Sequence, residues 1–240
     1  MPSTIGIVAS SALNRQIFIT SGPSLSAPLN AYKWSGSGFG TRYSNPATKP
    51  GSGRRVRFTP KADVVITTVF DAPFIMAYQF SYTSGFGTKY SDPSGGPTAA
   101  NGYIEGVGFD ISPSGNDLCY SVSRSGATNP PYFFAYPWSY SGGFGTKYAD
   151  PATQTERLSK NIAFSPDGNN IAFTDGGSIV PTGLETIVYP WSGSGFGTKY
   201  ADPATKIISP TDISWSPDGN TLAILGNSSR SWSICLVIWF

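Results

Sequence analysis

Histidine is absent from all 240 residues. That removes the Ser-His-Asp and Cys-His nucleophile systems and every metal site that needs an imidazole. Cysteine is nearly absent. Cys119 and Cys235 each sit in a strand-like apolar run, "DLCYSV" and "SICLVIW", and two such residues make no disulfide framework; both are expected as buried free thiols, since small apolar Cys packs well in cores. Charge is scarce as well. Asp, Glu, Lys and Arg together make up 12% and the net charge is +2, too little to build a field for nucleic acid or an anionic surface. The longest apolar run, "ICLVIWF", is far too short to span a bilayer. The N-terminus lacks a basic segment followed by a sustained apolar stretch, so no ordinary signal peptide is expected. No amphipathic helical period is found.

What the chain does have is turn residues, aromatics and repetition. Gly (28) and Pro (20) are abundant and aromatics reach 14%, which suits short strands joined by tight turns. The phrase "WSGSGFGTKYADPAT" at Trp191–Thr205 recurs nearly unchanged at Trp34–Thr48, with looser copies from Phe80 and Trp138. The Phe of each "GFGT" falls at Phe39, Phe86, Phe144 and Phe196, at intervals of 47, 58 and 52. Such a period with strand content signals a propeller or solenoid. A second phrase alternates with the first: "IAFSPDGNNIAFT" from Ile162, "ISWSPDGNTLAIL" from Ile213, and freer versions from Val107, Val56 and Ile5.

Each unit parses into four strands. An apolar strand precedes Ser-Pro-Asp-Gly, whose Pro presets φ and whose Gly accepts the left-handed position. A second strand follows. A third ends in "AYKW", "AYQF", "AYPW" or "VYPW". A Gly/Ser hairpin then leads to "FGTKY", and Asp-Pro stops the ladder. The repeated basic residue, Arg42, Lys89, Lys147 or Lys199, reads as the charge that guards an outer edge strand; the functional alternative is a ring of phosphate or glycan contacts.

The alternation of "AFSPDGN", an aromatic-ending strand and a short outer strand resembles the WD-repeat-like β-propellers. "YPWSGSGFGTKYADPAT" resembles tandem propeller repeats of tailed-bacteriophage proteins, and the resemblance covers essentially the whole chain. The Trp-Asp dipeptide and the His of the eukaryotic repeats are missing, so their partner-binding habits are not carried over. The resemblance and the repeat count together imply an all-β, five-bladed β-propeller in one domain. Its blades span about 1–48, 49–95, 96–153, 154–205 and 206–240, four-stranded except for a three-stranded last blade.

For function, the reading is a binding or structural protein of a phage particle, working through protein–protein contacts, with a lectin-like carbohydrate-binding propeller as the alternative. No enzyme, metal or cofactor is expected. Of the 14 acidic residues, Asp92, Asp150, Asp167, Asp202 and Asp218 fall in turns or repeat elements. The leftovers, Asp63, Asp71, Glu105, Asp110, Asp117, Glu156, Asp175, Glu185 and Asp212, occupy different slots in different units. The Gly-rich turns lack the alternating acids of a Ca²⁺ loop. The expected partner is another virion protein or a second copy, with a glycan as the other candidate and no nucleic acid or membrane span. Localisation follows as the virion, or alternatively the bacterial cytoplasm. Recognition is placed on the variable loops, with Arg54, Arg55, Phe70, Tyr103, Arg124, Tyr132, Arg230 and Trp232 as anchors. The final strand, with Ile234, Leu236, Val237, Ile238, Trp239 and Phe240, is expected to be an uncharged outer edge that another chain covers.

Overall fold

The computed structural model describes residues 5–9, 16–21, 29–124, 131–154, 159–175, 186–204, 207, 210–228 and 231–238. The chain is all-β there, with no α-helix among the described residues and one short 3-10 turn at Ala99–Asn101. Among the described residues nineteen strands form five antiparallel sheets, none closed into a barrel. The first sheet holds β1 (Ile5–Ala9), β2 (Gln16–Ser21), β3 (Leu29–Ser35) and β4 (Gly38–Arg42). The second holds β5 (Gly53–Phe58), β6 (Val64–Val69), β7 (Ile75–Ser81) and β8 (Gly85–Lys89). The third holds β9 (Tyr103–Ile111), β10 (Asp117–Arg124), β11 (Phe133–Ser139) and β12 (Gly143–Phe144). The fourth holds β13 (Ser159–Phe164), β14 (Asn170–Asp175), β15 (Thr186–Ser192) and β16 (Gly195–Phe196). The fifth has three strands, β17 (Pro210–Trp215), β18 (Thr221–Ser228) and β19 (Ser231–Ile238). Strand order in every sheet follows the chain, as a meander requires, and the whole is consistent with a β-propeller-like fold.

Sheets stack in sequence. The first strand of each packs on the first strands of the sheet before it: β5 on β1 and β2, β9 on β5 and β6, β13 on β9 and β10, β17 on β13 and β14. The second strands of the second, third and fourth sheets, β6, β10 and β14, are therefore covered on both faces, whereas β18 alternates buried and half-buried residues. β6 is buried throughout. Its alternate residues go to different neighbours: Val65 joins the cluster shared with the first sheet, Val64 and Ile66 the cluster shared with the third. β14 divides likewise, Ile171 and Phe173 toward the third sheet and Ala172 toward the fifth. A side-chain period of two thus serves two interfaces at once.

The turn between the first two strands is built as the Ser-Pro-Asp-Gly tetrapeptide dictates. Gly168 and Gly219 both have φ of 75°, and their N–H groups donate to Ser165 and Ser216 at 2.9 Å. The hairpin before "FGTKY" also conforms, with Trp34, Trp138 and Trp191 meeting Phe39, Phe144 and Phe196 edge-to-face at 4.9–5.0 Å. The fourth strand departs from the expected length. It runs five residues in the first two sheets but only two in the third and fourth. The facing strand explains this. It carries Lys33 and Gln79 in the first two sheets but Pro137 and Pro190 in the others, and Pro has no N–H to return to the outer strand. Tyr148 and Tyr200 still donate beyond the gap, to Ala135 at 2.9 Å and Val188 at 3.0 Å.

Candidate functional site

Two polar constellations are built from these elements. The first belongs to the repeat. Lys147 pairs with Asp150 at 2.6 Å, and Lys89 and Lys199 pair in the same way with Asp92 and Asp202. In the first copy, where the acid is replaced by Asn45, Arg42 bonds that amide and Asn30. The basic residue is thus engaged within its own repeat. The repeated Tyr extends to the next sheet. Tyr43 donates to the Tyr82 carbonyl at 2.6 Å and Tyr90 to the Tyr140 carbonyl at 2.7 Å. Their rings lie over the hairpin Gly85 and Gly143, where an added side chain would meet them at 2.7 and 2.9 Å.

The second constellation lies on the first strands, where the sheets converge. Arg54 bonds Glu105 at 2.6 Å, and Glu105 also accepts from Ser123 at 3.0 Å. Arg57 pairs with Asp110 at 3.0 Å, and the other Asp110 oxygen accepts the Phe164 N–H at 2.9 Å. Arg55 donates to the Asn161 side-chain oxygen, while the Asn161 amide donates to the Thr211 carbonyl and to Asp212 at 3.1 Å. Arg55, Asn161 and Asp212 share one slot, three residues before the end of β5, β13 and β17. Gly108 holds that slot in β9. A glycine there leaves no side chain between the second and fourth sheets, and Arg55 bonds across. Burial lowers the Arg55 guanidinium below its ordinary range, and neighbouring Arg57 lowers it further, while Asp212 and Asp110 oppose the shift. Burial raises Asp110, against the pull of Arg57 and two backbone N–H donors. Three guanidiniums and three carboxylates so balance within one network that ties four sheets together.

The expected anchors divide. Arg54 stacks over Phe70 at 5.0 Å, and Arg55 joins the network above. Tyr103 and Tyr132, placed by sequence in variable loops, do not project from the surface; this is a correction. They are 5% and 2% exposed, because Tyr103 opens β9 among Phe74 and Phe134 and donates to the Pro131 carbonyl at 2.8 Å. Arg124 ends β10 opposite Tyr103. Trp232, Ile234, Leu236, Val237 and Ile238 are placed by backbone on β19. Arg230, Trp239 and Phe240 lie outside the described residues. Cys119 is buried and free, and burial pushes its thiol well up. The side chain of Cys235 lies outside the description. Sequence reasoning missed Arg57, Glu105, Asp110, Asn161 and Asp212 as one group. The available signal was polar residues interleaved with apolar ones in four of the five first strands, "GRRVRF", "EGVGFDI", "KNIAF" and "TDISW". No helix among the described residues is long and apolar enough to cross a membrane.

No family model and no curated protein matches this chain. Solved structures do. A 6-phosphogluconolactonase-like protein of Bacteroides uniformis aligns over 97% of this chain and 66% of its own, with TM-score 0.64 and 12% identity. A functionally unknown protein of Desulfotomaculum acetoxidans aligns over 99% and 65%, with TM-score 0.57 and 15% identity. Kuenenia stuttgartiensis hydrazine synthase aligns over 87% and 58%, with TM-score 0.55 and 14% identity. The chain therefore spans about two thirds, or less, of the structures it matches. At these identities the likeness concerns the fold. It corrects one expectation from sequence: the first of these structures carries the name of an enzyme, so lack of histidine does not place this chain outside the enzymes.

Proposed function

We propose that the five sheets are the blades of a β-propeller, the last of them three-stranded, and that the chain is a binding module of a bacteriophage particle acting through protein–protein contacts. The observation that carries this reading is the internal pairing of the repeated charges. Lys89, Lys147 and Lys199 each bond the Asp three residues on, so the constant part of every repeat is engaged in scaffold. What differs from blade to blade is left for recognition, and recognition on rigid scaffolds concentrates in such loops. Phe70, half-buried just after β6, is the anchor this reading favours; the Arg54 guanidinium lies 5.0 Å from its ring centre while pairing with Glu105. The bacteriophage assignment draws on the repeated phrase itself.

The test is twofold. Antibody raised to this chain is used on density-purified virions of a phage encoding it, and the chain with Phe70→Ala, which leaves the Arg54–Glu105 pair in place, is compared in pull-downs from the same particles. The chain in the virion band, and loss of capture by a variant that keeps its melting temperature, support the reading. Absence from the particle, or saturable binding on a glycan array instead, overturns it.

A further inference from the structure

We propose that the rings of Tyr90 and Tyr140, at the junction of the second and third sheets, bind the ammonium of a lysine side chain on a partner polypeptide. The junction of the first and second sheets supplies the template. There the chain's own Lys33 holds its ammonium 5.9 Å from the Tyr43 ring centre and 5.5 Å from that of Tyr82. At such distances a cation is drawn to the negative face of an aromatic ring.

The two junctions match part for part. Tyr43 donates its hydroxyl to the Tyr82 carbonyl at 2.6 Å, and Tyr90 donates to the Tyr140 carbonyl at 2.7 Å. Tyr43 meets Phe80 edge-on at 5.3 Å, and Tyr90 meets Trp138 at 5.0 Å. The Tyr43 ring lies over Gly85 and the Tyr90 ring over Gly143. Tyr82 and Tyr140 both belong to the longer hairpins, "SYTSGFG" and "SYSGGFG". The hairpin of the fourth sheet, "SGSGFG", has no such tyrosine, so the third junction lacks the pair of rings.

One part differs between the two. Gln79 takes the place of Lys33. A Cβ added at Gly40 would meet the Lys33 Cβ at 3.3 Å, and one added at Gly87 would meet the Gln79 Cβ at 3.1 Å. The Gln79 side chain is neutral and shorter than lysine. Among the described residues no Lys or Arg lies over Tyr90 or Tyr140. Tyr140 is exposed, at 50%, whereas Tyr82 is partly covered. Negative charge stands close by. Burial raises the Tyr90 phenol above its ordinary range, Tyr140 raises it further, a bond from Gln79 opposes the shift, and the Asp63 carboxylate adds to it. An incoming ammonium would therefore meet a carboxylate as well as two rings, and its alkyl stem could lie along them. The site stands on the hairpins and not on the variable loops, so it can fail while the virion reading holds, and the reverse.

The probe is the peptide Gly-Ser-Lys-Ser-Gly with blocked ends, titrated into the full 240-residue chain with isotope-labelled tyrosine rings. Saturable NMR shifts of the Tyr90 and Tyr140 rings are expected, and none with the Nε-acetylated peptide. Tyr140→Ala keeps the backbone carbonyl that Tyr90 bonds. It should weaken uptake about fivefold or more at an unchanged melting temperature. Gln79→Lys copies Lys33 and should fill the site from within, abolishing uptake. Lys33→Gln should open the first junction, so that the peptide shifts Tyr82 as well. No saturable shift up to about 10 mM peptide, equal shifts with the acetylated peptide, or undiminished uptake by Gln79→Lys would each overturn the proposal. Butylammonium binding as tightly as the peptide would place a free amine there and overturn the partner.

Discussion

Ala62 is the clearest case of one residue set against its neighbours. It takes the turn position that Gly115, Gly168 and Gly219 hold in the later sheets, with φ of 56° beside their 74–75°. Its N–H makes the same bond, to Thr59 at 2.8 Å. A Cβ at positive φ costs about 1–2 kcal/mol, part of which glycine returns as unfolded-chain entropy. Ala62→Gly should therefore stabilise the protein by about 0.5–1 kcal/mol in urea unfolding. Asp167 gives the pH dependence of the same turn. The Ser165 hydroxyl at 2.5 Å and the Asn169 N–H at 3.0 Å hold its carboxyl below the usual range. A depressed carboxyl stabilises the fold above the unfolded value, about 3.9, and that contribution vanishes as pH falls through the folded value. Asp167→Asn should lower the melting temperature at pH 7, and the difference from the natural chain should shrink as pH drops below about 4.

At the scale of elements, the Tyr-over-Gly contact joins one sheet to the next. Gly85 has φ of 81°, and any side chain there would meet the Tyr43 ring at 2.7 Å. Gly85→Val combines left-handed strain with overpacking, each about 1–3 kcal/mol. Unfolding should show a loss of at least about 2 kcal/mol, far more than Gly36→Val, where an added side chain meets nothing. Similar loss at both positions would mean that the hairpin is sensitive everywhere and Tyr43 is incidental. The outer strand itself tolerates variation. It keeps its Tyr N–H bond whether Lys33, Gln79, Pro137 or Pro190 faces it.

Across the whole molecule, the charged network on the first strands links sheets that do not adjoin. Removing one member of a buried pair leaves the other uncompensated, which costs more than the pair contributes. Asp110 is 8% exposed, while the Arg57 side chain is half-exposed, so solvent screens part of the loss. Arg57→Met should destabilise by about 1–2 kcal/mol and raise the Asp110 carboxyl further, which a side-chain NMR titration would read. If that titration is unmoved, Asp110 is set by burial and the Phe164 N–H alone.

Much of the architecture was legible because it is local. Turn chemistry at Pro166-Asp167-Gly168, the run "NIAFT" and the Gly-Phe hairpin each fix their conformation within a few residues, and repetition multiplied the signal. The strand order followed, since short turns leave a meander little choice. The network of Arg54, Arg55 and Arg57 with Glu105, Asp110, Asn161 and Asp212 could not be read this way. Arg55 and Asn161 are 106 residues apart, and only the stacking of sheets decides that a glycine in β9 lets them meet. Tyr103 and Tyr132 failed for the same reason. Loop composition describes the neighbours in sequence, whereas Tyr103 is buried by Phe74, just before β7, and by Phe134 of β11, which only packing brings to it. Local sequence determined the strands and turns of this protein; which charges neutralise one another, and which tyrosines are core, was decided only when the sheets were stacked.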